Sequence, residues 1–209
     1  MSQTIAKLLS RLQPEIDWVS AGGSPSLPDG LNDQGFISLL SVHNGLSAFK
    51  GGLRIFGTLS SLLPSIAEWN RDDLWRAEYK GLDHGLYFFG EDVFGNQFGF
   101  SAQGTVWRFL SETGDREIIG ESCEEWLEKI FANPVEELGL GLLEDWLCER
   151  PKLMLSEHLC PKIPFTAKGT KETSNLYVCD RLDSMRFKGN FAYQIRDVKT
   201  GGKIDIRVA

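Results

Sequence analysis

Three histidines, four cysteines and the adjacent acids Glu91 and Asp92 are the residues from which this chain could assemble chemistry. His43, His84 and His158 are far apart, and none has a Ser, Cys or carboxylate at the spacing of a catalytic triad. A lone histidine beside a helix stop or a turn is ordinarily structural. Glu91 and Asp92 could be an acid-base pair, yet adjacent side chains on a strand diverge, so both read as solvated turn residues. A hydrolase could be drawn from His84 with Asp83, Glu91 and Asp92, but its base lacks an oriented partner. The run Gly90-Glu91-Asp92-Val93-Phe94-Gly95 has the outline of a phosphate loop without its Lys or Ser/Thr, and its acids repel phosphate. Cys123, Cys148, Cys160 and Cys179 are scattered, with no C-x-x-C pair, and read as reduced thiols acting as small hydrophobes. The expectation is a non-enzyme with no catalytic residues, no metal and no cofactor.

Charge offers more than catalysis does. The net charge of −7 is uneven: residues 117–149 carry 10 acidic and 1 basic side chain, whereas residues 150–209 carry 12 basic and 6 acidic. Such an acidic block repels nucleic acid and anionic lipid and speeds encounter with a basic partner. The candidate contacts are Glu121, Glu124, Glu125, Glu128, Glu136, Glu137, Glu144 and Asp145. The plainer alternative is a solvated helix face that keeps the protein soluble, and the basic tail could fold back to neutralise part of it. Arg181, Arg186, Lys188, Arg196 and Lys199 alternate with Phe187, Phe191 and Tyr193, a pattern that could track a nucleic-acid strand. The acidic block ahead of that tail argues against this, and a tail docked on the core is the expectation. No apolar run can span a bilayer. The first residues have helical spacing at Ile5, Leu8, Leu9 and Leu12 where an export signal would need a basic start and a cleavage site. A cytoplasmic protein is expected.

The elements that must position these side chains begin with a helix over 2–12, stopped by Pro14. Residues 21–30 hold too many glycines and prolines for regular structure. A helix over 31–43 ends at Asn44-Gly45, and a strand follows over 53–56. Leu59, Leu62, Leu63, Ile66 and Trp69 suggest a further helix with Pro64 in its first turn. Short strands over 86–89, 97–100 and 106–110, with Ile118-Ile119 as one more, make an antiparallel meander. Ser122 and Glu125 form a capping box for a helix over 123–131, and 135–149 continues helical despite Gly139 and Gly141. From Arg150 to Ser174 the chain reads as a connector, Asn190 could cap a short helix, and Ile204, Ile206 and Val208 alternate like an edge strand.

The order of motifs resembles the SUKH superfamily of Smi/Knr-type immunity and signalling modules. It runs through Leu27-Pro28-Asp29, a helix closing on His43-Asn44-Gly45, Phe89-Gly90-Glu91-Asp92, and Gly95-Asn96-Gln97-Phe98-Gly99. Gly104-Thr105-Val106-Trp107 and the capped helix with Trp126-Leu127 complete it. The resemblance covers roughly residues 27–131 and implies an α+β fold with an antiparallel sheet flanked by helices; the expected domain spans residues 1–149, with 150–209 expected as a C-terminal extension packed on it. It also implies an immunity protein that binds and silences a cognate secreted toxin domain, or an intracellular interaction adaptor unrelated to toxins. Gly95 and Asn96 match the family's turn, where both residue types tolerate positive φ. The chain departs from the pattern at Leu46, where a second glycine is common, and in its extension beyond 149.

Overall fold

A computed structural model describes residues 3–20, 32–199 and 201–202. The expected Leu27-Pro28-Asp29 lead-in and the Ile204 to Val208 strand lie outside these residues.

Seven strands form one sheet in which each pairs antiparallel with its sequence neighbour: β1 (Ile16–Val19), β2 (Leu46–Ala48), β3 (Leu53–Ile55), β4 (Leu86–Asp92), β5 (Gln97–Ser101), β6 (Val106–Phe109) and β7 (Arg116–Gly120). This is the α+β meander that the sequence predicts, with β1 and β2 added at one edge. Helices α1 (Gln3–Leu12), α2 (Gln34–Val42) and α5 (Cys123–Ala132) pack together on one side. On the other lie α3 (Ile66–Trp69), a π-turn (Asp72–Arg76), α4 (Ala77–Tyr79) and the long α8 (Arg181–Ile195). Between α5 and α8 come α6 (Pro134–Glu137), α7 (Leu140–Glu149) and a separate hairpin, β8 (Glu157–Pro161) with β9 (Leu176–Asp180).

Local chemistry sets these boundaries. Asp33 caps α2 through the Phe36 N–H at 2.7 Å, and Ser122 caps α5 through the Glu125 N–H at 3.2 Å. The Glu125 carboxylate returns to the Glu121 N–H at 2.9 Å, one residue before the cap, so the reciprocal box is shifted by one position. Three expectations change. The helix drawn from Leu59 begins only after Ser65, whose hydroxyl caps it; Leu59 and Leu62 are exposed. The single helix over 135–149 splits at Gly139, which takes φ +64 and would drive a Cβ to 2.6 Å from the Phe94 ring. The connector over 150–174 contains β8, and α8 starts at Asp180, not Asn190, with the Asp180 carboxylate accepting the Leu182 N–H at 2.8 Å.

A bulge in β4 decides which side chains face which way. Phe88 pairs with Gly99 and Gly90 with Phe98, so Phe89 is the extra residue. Phe88 and Glu91 therefore face the same side, while Phe89 faces the other. Phe89 joins Phe36, Phe100 and Trp126 on the α2–α5 side, and Phe88 joins Trp75 and Phe109 on the α3–α4 side.

Candidate functional site

Glu91 is the centre of a polar row that crosses the sheet beneath α8. Register places Ser47, Arg54, Glu91, Gln97 and Phe109 opposite one another on five successive strands. Arg54 and Glu91 are completely buried, which corrects the expectation that Glu91 and Asp92 are solvated. The Glu91 carboxylate accepts Arg181 Nε–H at 2.7 Å and Arg54 Nη1–H at 3.4 Å on one oxygen, and Gln97 Nε2–H at 3.3 Å on the other. His158 Nε2 lies 3.1 Å from that second oxygen, an electrostatic contact without hydrogen-bond alignment. Burial alone would raise the Glu91 pKa, but Arg181, His158 and Arg54 outweigh it and hold the carboxyl well below the usual range. Burial lowers His158 to about 4, so this ring is neutral at physiological pH. Arg54 and Arg181 also donate to the carbonyls of Glu157 and Leu155. Cations of the 150–209 segment meet Glu91 through Arg181, Asp17 through Lys152 and, in the acidic block, Glu149 through Arg150.

Tertiary packing also supplies the partners that sequence spacing withheld from His158. Ser184 Oγ is 3.1 Å from His158 Nδ1, and Cys160 Sγ is 3.2 Å from Ser184 Oγ. Ser184, His158 and Glu91 stand in nucleophile, base and acid order, but all three are buried. The space beside Ser184 and Cys160 is ≈ 10 Å³, room for about one water and no substrate. A base at about 4 is also poorly matched to proton abstraction at neutral pH. The arrangement ties the extension to the sheet. His84, by contrast, is exposed and stands apart from this row; its neighbour Asp83 pairs with Arg76 at 2.5 Å. Among the cysteines, Cys123 and Cys160 are buried as small hydrophobes, Cys179 is half-buried and Cys148 is exposed, against expectation.

The turn after Glu91 joins this row to the surface. Asp92 accepts the N–H groups of Phe94 at 2.9 Å and Asn96 at 3.0 Å, and Asn96 Nδ2–H at 2.8 Å. Asn96 Oδ1 in turn accepts the Ser111 N–H at 3.1 Å. Gly95 takes φ +83, whereas Asn96 does not have positive φ and acts through its side chain. A Cβ on Gly95 would stand 2.8 Å from the His158 ring, so the turn needs glycine for its conformation and for the approach of β8.

Beside this turn opens a cleft of ≈ 640 Å³. Its floor includes Asp92 and Asn96, one wall is α6 and the start of α7, and the opposite wall comes from Pro161 to Lys171.

Residues 33–129, from the cap of α2 to the last turn of α5, match the SMI1 / KNR4 family (SUKH-1). Over that segment, just under half of the chain, the protein is similar to the SUKH superfamily. Among solved structures, the crystal structure of Atu4351 from Agrobacterium tumefaciens has a similar fold, with a TM-score of 0.53 and 11% identity over 91% of this chain and 89% of that one. No curated protein matches the chain. The SUKH match ends before α6, so both walls of the cleft and both partners of Glu91 from the extension lie beyond it.

The eight acidic candidates divide around the matched segment. Glu136, Glu137 and Asp145 line the cleft. Glu137 is tied to Arg108, which also meets Glu117 at 2.9 Å, and Glu136 accepts Asn133 Nδ2–H at 2.5 Å. Glu125 of α5 is committed to the helix start, and Glu121 just ahead of the cap accepts Thr105 Oγ1–H at 3.2 Å. Glu124 is half-buried and packs against Gly35 of α2. Glu128 is exposed on the outer face of α5, and Glu144 is exposed with Lys50 at 3.2 Å. Sequence reasoning missed Arg54, His158, Arg181 and Ser184 as a group. The one local signal was an arginine inside the apolar strand Leu53–Ile55, where a charge is found only with a partner.

Proposed function

We propose that this protein is a non-catalytic immunity protein that binds a cognate secreted bacterial toxin domain and silences it by occlusion. The SUKH match over residues 33–129, a superfamily that includes immunity proteins, is the observation that carries the reading. The exposed acids of α5 to α7 support a basic target such as a nuclease, because their charge would steer its encounter. Aromatic or aliphatic anchors would then set how long the complex lasts. No helix among the described residues is long and apolar enough to cross a membrane, which fits a protein that meets its target in the cytoplasm.

The tagged protein, captured from its own cells at low salt and eluted with rising salt, tests this. The expected result is a basic domain that arrests growth when expressed alone and not when co-expressed with this chain. Recovery of resident proteins only, with no protection in any co-expression, would overturn the proposal in favour of an adaptor.

A further inference from the structure

We propose that the cleft between α6–α7 and the extension is the anchoring site for the protein partner, and that it takes a short segment carrying a lysine or arginine beside an aliphatic or aromatic side chain. The inference deepens the immunity reading and rests on it for the identity of the partner. At ≈ 640 Å³ the cleft is large enough to bury several side chains of an inserted segment. Its lining supplies apolar surface from Phe94, Val135 and Phe165, and Val135 is 55% exposed at the rim. An aliphatic or aromatic side chain would find its contacts there. Asp145 and Glu136 are exposed in the same lining and place negative charge beside Val135. The lining cation Arg108 is already occupied by Glu117 and Glu137, so the charge left to meet a ligand is predominantly acidic. A basic residue adjoining an apolar one satisfies both halves of this lining. An anionic ligand would meet Asp145 and Glu136 without a free counter-charge except Lys171. Because Phe165 and Lys171 belong to the extension, the site also gives that segment a part in choosing the partner.

Random peptides displayed on phage and selected against the full-length protein test the site directly, whatever the partner is. Enriched peptides should pair Lys or Arg with Leu, Ile, Phe or Trp. Their affinity, measured by fluorescence anisotropy, should fall by about tenfold or more in Asp145→Lys and in Val135→Asp, and hold in Glu128→Lys on the outer face of α5. Both cleft positions are exposed, so thermal unfolding should match the parent and separate lost binding from lost fold. No enrichment, peptides lacking the basic and apolar pair, or affinities indifferent to the cleft substitutions would overturn the inference. If the cleft variants still protect fully against a captured toxin, this inference fails and the immunity reading stands. Peptide binding at the cleft without any toxin protection leaves the reverse.

Discussion

The two faces of the central sheet are both buried, and they solve burial in opposite ways. On the α1, α2 and α5 side, Phe36, Phe89, Phe98, Phe100 and Trp126 pack ring against ring at 4.7–5.4 Å between centroids. On the α8 side, Trp69, Trp75 and Tyr79 are followed along the sheet by Arg54, Glu91 and Gln97, closed over by Arg181 and His158. The first face demands only volume and shape, which many side chains can supply. The second demands specific partners, because a buried charge without one is far more costly than a missing methylene. Two of its partners, Arg181 and His158, come from the extension, so this sheet depends on residues outside the matched segment.

The largest expected effect breaks that contrast at its centre. Glu91→Gln keeps the side chain's shape and leaves the guanidinium groups of Arg54 and Arg181 buried without their counter-ion, a loss of about 3–5 kcal/mol. Leu127→Met in α5, equally buried but on the aromatic side, conserves volume and should cost less than about 1.5 kcal/mol. Urea unfolding of both variants measures the gap. Equal losses would mean that the charged row is no more demanding than an ordinary core.

Next in size is the pH dependence, which only the charged face should carry. His158 has a folded pKa of about 4 against an ordinary 6.5. As pH falls through that window the unfolded chain takes up a proton that the folded protein refuses, so stability declines, by on the order of 3 kcal/mol across the window. Below the ordinary carboxylate value of 4.5, Glu91 extends the decline, since its folded pKa is depressed and its ionised form must be given up on acidification. His43, whose pKa burial also lowers, adds in the same direction. Urea unfolding at a series of pH values should therefore slope downward from pH 6.5 towards 4, with most of that slope gone in His158→Gln and retained in Leu127→Met.

A pair of glycines sharpens the comparison further. Gly95 and Gly104 have similar positive φ, +83 and +88, but only Gly95 has the extension against it; nothing stands within 4 Å of a Cβ at Gly104. Gly104→Ala should cost the conformational strain alone, about 1 kcal/mol. Gly95→Ala adds the displacement of the His158 ring, for a total of about 2–3 kcal/mol. The difference in thermal unfolding between the two variants reads the closeness of that approach.

The aromatic face was legible in the sequence and the charged face was not, for a physical reason. Helix α5 declares itself through Ser122, Glu125 and the spacing of Trp126, Leu127 and Ile130, all local signals. The strands of the meander are bounded by Gly95, Gly104 and Gly114, each at positive φ. The side chains meeting at Glu91 come from positions 54, 97, 158 and 181, so no window of sequence contains them. Strict alternation along β4 would also have set Glu91 beside Phe89, and only the bulge turns it toward α8. The acidic candidates were visible as composition, but their separation into cleft, helix cap and outer face depends on the helix break at Gly139 and on tertiary packing, which no window of sequence contains.

The smallest expected effect on stability carries the most for function. Glu128 is exposed and lies outside the cleft, whereas Glu125 is spent on the start of α5, so Glu128→Lys reverses a charge without touching a cap or a buried group. Unfolding should change by no more than about 0.5 kcal/mol. If the acidic surface steers a basic toxin, the same substitution should slow association in stopped-flow mixing at low salt and flatten its salt dependence, with dissociation unchanged. Asp145→Lys, inside the cleft, should instead speed dissociation, because an anchored side chain loses its counter-charge at contact. Equal kinetic signatures for the two would merge them into one surface. Distinct ones would separate steering on the outer face of α5 from anchoring in the cleft, the same division between general and specific demands that distinguishes the two faces of the sheet.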